Sequence, residues 1–363
     1  MSERMLRVLI VLIAGLLVHV QVAHAEPYIA VQKGMHCSTC HVSPSGGGKR
    51  TVYGNVYMQT EMPARTLDMG ELWTGEFGNY IAVGGNARGG WQRTDVPASP
   101  STTDSGLDEF LAYLEITPFK SYLTLYVDAR LRPDDPVVRE QWARVNLPGG
   151  HWSVRAGEFF LPFGLRLQDD DAFIRQVSGI NMNTPDTGWE LAWERDAWSA
   201  QFAVTRGTAG GPEIDSGKQY SLQVSRVTNK WRVGGSLNLN DSSAGDRRMH
   251  GVFGGLQTGP VAWLAEIDYI VDDGTPTGKR NLWTSLVEAN YGYRKGHNLK
   301  LTYEWFDPDD NVSNDEQTRL SVVFEYSPFQ FLQARIGYRD FSGIPQNPAQ
   351  NREQAFAELH IAF

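Results

Sequence analysis

Tyr122-Leu123-Thr124-Leu125-Tyr126-Val127-Asp128-Ala129-Arg130-Leu131 is the stretch that decides the fold. In an extended chain Leu123, Leu125, Val127, Ala129 and Leu131 share one face, and Thr124, Tyr126, Asp128 and Arg130 share the other. One alternating run is a weak signal. However, about sixteen such segments follow one another to the last residue, at 79–93, 107–117, 120–131, 137–147, 150–160, 188–196, 197–206, 217–228, 230–240, 247–258, 260–271, 281–294, 297–307, 316–327, 329–341 and 351–363. A soluble sandwich alternates too, but its apolar face lies in a shared core. An even number of segments of roughly ten residues predicts an all-β fold, an antiparallel transmembrane β-barrel with about 16 strands.

The connections carry the same message. Pro118-Phe119, Pro148-Gly149, Asp196, Asn229, Gly259, Lys295-Gly296 and Pro328 mark tight turns, and they alternate with longer polar stretches at 94–106, 161–187, 207–216, 241–246, 272–280, 308–315 and 342–350. Short periplasmic turns and long outer loops give that rhythm. Trp152, Trp231, Trp263, Trp283, Trp305, Tyr326 and Tyr338 recur near segment ends, where interfacial girdles form. The chain closes with Ala357, Leu359, Ile361 and Phe363 on one face and Glu358 and His360 on the other. A terminal phenylalanine on such a strand resembles the insertion signal of bacterial outer-membrane barrels. Segments 137–147 and 150–160 fit less well, with charged and aromatic residues on both faces, as a bulge or a shifted boundary would produce.

A barrel of this size encloses a wet lumen. Its expected inward residues are Asp128, Arg130, Glu266, Asp268, Glu288, Lys300, Glu304, Arg319, Glu325, Arg335, Arg339, Glu358 and His360. The longest connection, 161–187, carries Asp169-Asp170-Asp171 and has two readings: a constriction folded into the lumen, or an exposed acidic loop that attracts cations such as calcium or iron.

Residues 1–25 read as a secretory signal peptide, with Arg4 and Arg7 before the apolar run Leu6–Val20 and Ala23-His24-Ala25 as the cleavage site. No later stretch offers the roughly 20 apolar residues of a transmembrane helix. The formal charge is −9, and −10 without Glu3, Arg4 and Arg7, which argues against a nucleic-acid partner. The expected organisation is a signal peptide at 1–25, a monohaem cytochrome c-like segment at 26–74 and an outer-membrane barrel at 75–363.

The chain has two cysteines, both in Cys37-Ser38-Thr39-Cys40-His41. This is the attachment pattern of one covalent haem c: two thiols form thioethers, and the following imidazole is an axial iron ligand. A redox dithiol would expect a neighbouring βαβ pattern, and a zinc site would need further ligands. Met58, Met62, Met69 and His36 are candidates for the sixth ligand, with Met58 or Met62 ranked first. Ser43–Gly48 reads as a turn, and Lys49-Arg50 as a partner for the haem propionates. Residues 26–74 are too few for a core of their own, so the haem or an enclosing structure must supply apolar contacts.

An export signal, one C-x-x-C-H segment and a porin-like barrel in one chain resemble the fused monohaem cytochrome-porins of the bacterial outer membrane, best known as iron-oxidising cytochromes. The resemblance is specific in residues over Gly34–Asn55. It implies electron transfer through the outer membrane, between an extracellular donor or acceptor such as Fe(II) and periplasmic electron carriers. By it Cys37, Cys40 and His41 are the haem residues. The Pro44–Gly48 run departs from the linker of the iron oxidases, which leaves room for another donor or for flow in the reducing direction. Arg155–Gly164 is similar to a strand and loop of phosphate-selective porins. The competing reading is a porin for small solutes whose haem-bearing segment is a plug or sensor. A haem enzyme such as a peroxidase needs an acid–base constellation that the sequence does not display.

Overall fold

A computed structural model describes residues 26–119, 122–208, 215–243, 245–274 and 278–363. The signal-peptide reading falls outside the described residues. Sixteen long strands follow in chain order: β1 Ile81–Asp95, β2 Thr102–Phe119, β3 Leu123–Arg132, β4 Val137–Asn146, β5 Trp152–Phe159, β6 Asp186–Arg195, β7 Trp198–Thr205, β8 Gln219–Val227, β9 Trp231–Asn240, β10 Arg247–Thr258, β11 Val261–Asp272, β12 Arg280–Arg294, β13 His297–Asp307, β14 Gln317–Tyr326, β15 Leu332–Ser342 and β16 Glu353–Ala362. Each pairs antiparallel with the next. β16 then pairs with β1, from Glu353 opposite Asp95 to Ala362 opposite Asn86, and the barrel is closed. Closure leaves no long edge whose N–H and C=O groups would go unpaired in lipid. Phe363 extends the seam by exchanging two backbone hydrogen bonds with Gly85, at 2.9 and 3.0 Å.

The alternation in sequence becomes inside and outside. Val252 and Ile336 stand 60% and 62% exposed on the outer face, whereas Asp268, Asn290 and Glu304 are fully buried in the lumen. Leu125, Val127, Leu237, Ile267, Val287, Leu301 and Leu359 continue the apolar outer belt. Most of the expected strand boundaries fall within a few residues of the observed ones.

The irregularity of the first of the two poorly fitting segments, 137–147, is explained by a bulge. Asp128 faces Glu140 while the next residue, Ala129, faces Val138, so Arg139 is the extra residue on β4. Both Arg139 and Glu140 therefore point inward and are buried. Arg139 then meets Asp128 at 2.8 Å. The strict alternation of long and short connections fails at one place, because residues 133–136 form a brief turn at the long-loop end.

The long connection between β5 and β6 folds inward. Leu161, Phe163, Leu165 and Leu167 are buried, and the short helix Phe173–Gln176 within the loop sends Arg175 to Glu266 at 2.9 Å. Asp169 lies between Arg319 (2.9 Å) and Arg339 (3.0 Å), and Asp171 reaches Arg339 (3.1 Å). Asp169 and Asp171 thus clamp the loop to the basic wall, which favours the constriction reading. Among the described residues no group of three His, Cys, Asp or Glu side chains is placed to hold a metal ion.

A charge on the outer belt should meet lipid. Val252→Arg is expected to cost about 2–4 kcal/mol in equilibrium unfolding in bilayers; a loss below roughly 1 kcal/mol would show that this face does not meet hydrocarbon at mid-depth.

Candidate haem-binding lumen

Residues 26–74 enter the barrel from the short-turn end. Three helices carry them: α1 Pro27–Lys33, α2 Cys37–Cys40 and α3 Val52–Thr60. Pro27 opens α1, where a missing N–H costs nothing, and Gly34 in the left-handed region ends it. The apolar side of α1, Tyr28, Ile29 and Val31, packs with Met58 and Met62 against Phe253, Leu264 and Leu286 of the wall. The core that this segment cannot build alone is therefore completed by the barrel. Gly255 on β10 admits the contact, since a Cβ there would stand 2.4 Å from Val31 Cγ2.

Polar contacts fix the rest of the plug. Ser38 donates to Glu194 at 2.6 Å, Ser45 to Gln201 at 2.7 Å, and the Lys49 backbone N–H to the Tyr126 hydroxyl at 3.0 Å. Lys300 pairs with Glu26. Lys49 forms an ion pair with Glu115 at 3.0 Å. Its charge is thereby engaged in docking, which corrects the expectation that Lys49 serves the propionates. Thr51 caps α3 by accepting from Gly54 N–H at 3.1 Å and donates to Thr39 O at 2.7 Å. Gly54 lets α3 lie on α2, because a Cβ at this position would sit 2.3 Å from the Cys40 carbonyl oxygen.

Cys37, Cys40 and His41 line one central cavity. Met58 and Met62 line it too, whereas Met69 is exposed. His36 also reaches the cavity, but its Nε2 is hydrogen-bonded to Asp196 O at 3.0 Å. The two thiols are not joined to each other. Burial pushes the Cys40 thiol up to about 11, with Cys37 adding to the shift. A reactive dithiol needs the opposite shift. Burial, reinforced by the charge of Arg50, holds the His41 imidazole neutral by lowering it to about 3. His41 Nδ1 is buried without a hydrogen-bond partner.

The charge balance of the cavity points the same way. Elsewhere in the lumen arginines meet carboxylates, as in Arg155 with Glu190 at 2.8 Å and Arg335 with Glu358 at 3.1 Å. Arg50, Arg166 and Arg232 line the cavity and make no ion pair among the described residues. Burial lowers Arg166 to about 10, and it donates only to the carbonyls of Gly46 (3.3 Å) and Leu161 (3.1 Å). Arg232 approaches Cys37 Sγ at 3.7 Å. Two thiols, a neutral imidazole, methionine walls and guanidinium groups without an ion-pair partner among the described residues fit a haem c with its two carboxylates.

The cavity has a neighbour at each end. Toward the long loops a second cavity, reaching Asp104, Asp108 and Glu358, shares Arg88, Glu109, Gln168 and Asp170 with the central one. Toward the short turns a crevice beside Tyr53, Tyr80 and Trp152 shares Cys40's neighbour His41. Sequence reasoning assigned no role to Arg166, Met182 or Arg232, and treated His360 as one of many lumen residues. Arg166 and Met182 lie in a loop with no periodicity, so no pattern could have placed them.

Comparison with solved structures agrees with this architecture. The anion-selective porin from Comamonas acidovorans superposes with a TM-score of 0.61 at 9% identity, over 78% of this chain and 99% of that one. The barrel is porin-like. OmpT of Vibrio cholerae without its loop L8 gives 0.60 at 13% identity, over 78% and 100%. The outer-membrane channel DcaP of Acinetobacter baumannii gives 0.60 at 11%, over 78% and 97%. No protein-family model and no curated protein matches the chain. At these identities the likeness speaks for the fold of the porin-like barrel and its resemblance to bacterial outer-membrane proteins.

Close packing of α3 on α2 is testable. Gly54→Val should displace α3 and raise the rate of proteolytic cleavage within residues 42–56 at least tenfold, on the order of the effect of a lost tertiary contact of about 1.4 kcal/mol or more, while the barrel stays protease-resistant. An unchanged cleavage rate would mean that the two helices do not touch.

Proposed function

We propose that this chain is an outer-membrane electron-transfer protein whose single haem c is held inside the barrel by Cys37, Cys40 and His41. The observation that carries the reading is the position of the motif. The Cys-x-x-Cys-His segment lines a central cavity that shares walls with a cavity toward the long loops and with a crevice toward the short turns. In an outer-membrane barrel these ends face the outside and the periplasm. A haem c bound there supplies a one-electron redox centre.

The chain's own residues have distinct tasks. Cys37 and Cys40 would provide the thiols for attachment, and His41, kept neutral by burial, would provide a ring nitrogen for iron. Arg50, Arg166 and Arg232 compensate the carboxylates of the group. The plug and the inward loop 160–185 narrow the lumen around the cavity, and the outer belt meets lipid. The partners are outer-membrane lipid, a periplasmic electron carrier at the His41 crevice, and an extracellular donor or acceptor such as Fe(II) at the long-loop cavity.

A second reading has its own support. The solved barrels of similar fold include an anion-selective porin and a channel, so a solute pathway with residues 26–74 as plug or sensor is the alternative. Against it, two inserted segments pack by buried apolar clusters and ion pairs inside the lumen.

Vesicles separate the two. Purified protein in liposomes should pass electrons from an external ferrous or organic reductant to an acceptor trapped inside, and a Cys37→Ser/Cys40→Ser variant should lose at least nine-tenths of that rate, which corresponds to about 1.4 kcal/mol or more. Equal rates in the two proteins, together with solute conductance like that of an open porin, would favour the solute reading.

A further inference from the structure

We propose that His360, from the last strand of the barrel wall, is the second protein ligand of the haem iron; this rests on the reading that Cys37, Cys40 and His41 hold a haem c. The plug supplies one imidazole and the wall the other. His360 lies on the lumen face of β16, between Gln333 on β15 and Arg88 on β1, and is 8% exposed. It lines the same central cavity as His41.

Its two ring nitrogens are in different situations. Nδ1 lies 3.4 Å from Gln333 Oε1 and 3.4 Å from the side-chain amide of Gln168. Gln168 is best satisfied with its nitrogen donating to Glu26 Oε1 at 2.9 Å and its oxygen accepting from Arg88 at 2.8 Å, and this orientation turns the oxygen toward His360. Both neighbours of Nδ1 are then acceptors, so Nδ1 carries the proton. Nε2 is left as a lone pair, buried and without a partner. A metal-binding histidine has this arrangement: one nitrogen is held by an outer hydrogen bond and the other is free for the ion.

Met58, Met62 and Met182, three of the four methionines that line the cavity with Met35, are accounted for by packing. Met58 and Met62 belong to the apolar cluster with Tyr28, Leu264, Leu286 and Ala362, and need no further partner. Met182 rests its tip on Gly47, where an added Cβ would stand 2.9 Å from its Cε. His36 has the Asp196 carbonyl as its partner. Of these side chains only His360 presents a buried polar atom that lacks one. Two imidazoles rather than imidazole and thioether place the potential lower than in a His/Met cytochrome, so the partners of this site are suited to a low-potential relay.

Spectroscopy of the full-length protein from an export-competent host tests the assignment. A haem stain after denaturing electrophoresis comes first; its absence in wild type overturns the haem reading itself, and the ligand assignment with it. With haem present, low-temperature electron paramagnetic resonance and near-infrared magnetic circular dichroism of the wild type should give the bis-imidazole pattern. His360→Ala should keep the covalent haem but lose that pattern, added imidazole should restore it, and His360→Met should raise the midpoint potential. A wild-type spectrum of imidazole–thioether type overturns the proposal whether or not the variants fold. So does a His360→Ala spectrum identical to wild type, especially if Met58→Ala or Met62→Ala changes it.

Discussion

Compensation of charge inside a closed wall is the interaction on which the structure depends. A barrel in lipid turns its polar side chains inward, where water is scarce and an unpaired ion is costly. The lumen meets this condition with pairs such as Arg139–Asp128, Arg155–Glu190 and Arg335–Glu358. The same rule docks the inserted segments: Asp169 enters between Arg319 and Arg339, Arg175 reaches Glu266, Lys49 reaches Glu115, and Lys300 receives Glu26. Removing one member of such a pair leaves a charge stranded in the wall, so the plug and the inward loop are integral parts of the barrel.

Against that background the central cavity is an exception with a meaning. Among the described residues Arg50, Arg166 and Arg232 face it without an ion-pair partner, and His41 Nδ1 and His360 Nε2 are buried without hydrogen bonds. On the proposed function, these cations and the unpartnered imidazole nitrogen beside two thiols are what a haem c with its two carboxylates would require. The chemistry of the motif and the electrostatics of the wall are independent observations, and each supports the proposal separately.

The barrel was legible because its signal is long and repetitive. Period-two alternation, turn residues and the closing Phe363 each restrict the register, so the strands at 247–258 and 297–307 could be read to the residue. β4 was harder, because the bulge at Arg139 places two successive charged residues on one face and hides the period. The Cys-x-x-Cys-His motif stands out in the sequence, but its surroundings do not. Lys49 and Arg50 are neighbours in sequence and differ in role, since only the fold brings Glu115 to the first. The approach of Arg166, Arg232 and His360 to a motif more than a hundred residues away is a matter of barrel geometry, to which no local pattern corresponds.

On the proposed function, the segment that closes the lumen is also the segment that carries the cofactor. The mass of the tryptic peptide Gly34–Lys49 from protein made by an exporting, cytochrome c-maturing host tests it most directly. One haem added to that peptide, with neither Cys37 nor Cys40 open to thiol reagents, is the predicted result. An unmodified peptide with two reactive thiols would contradict the account and leave a plugged porin-like barrel in its place.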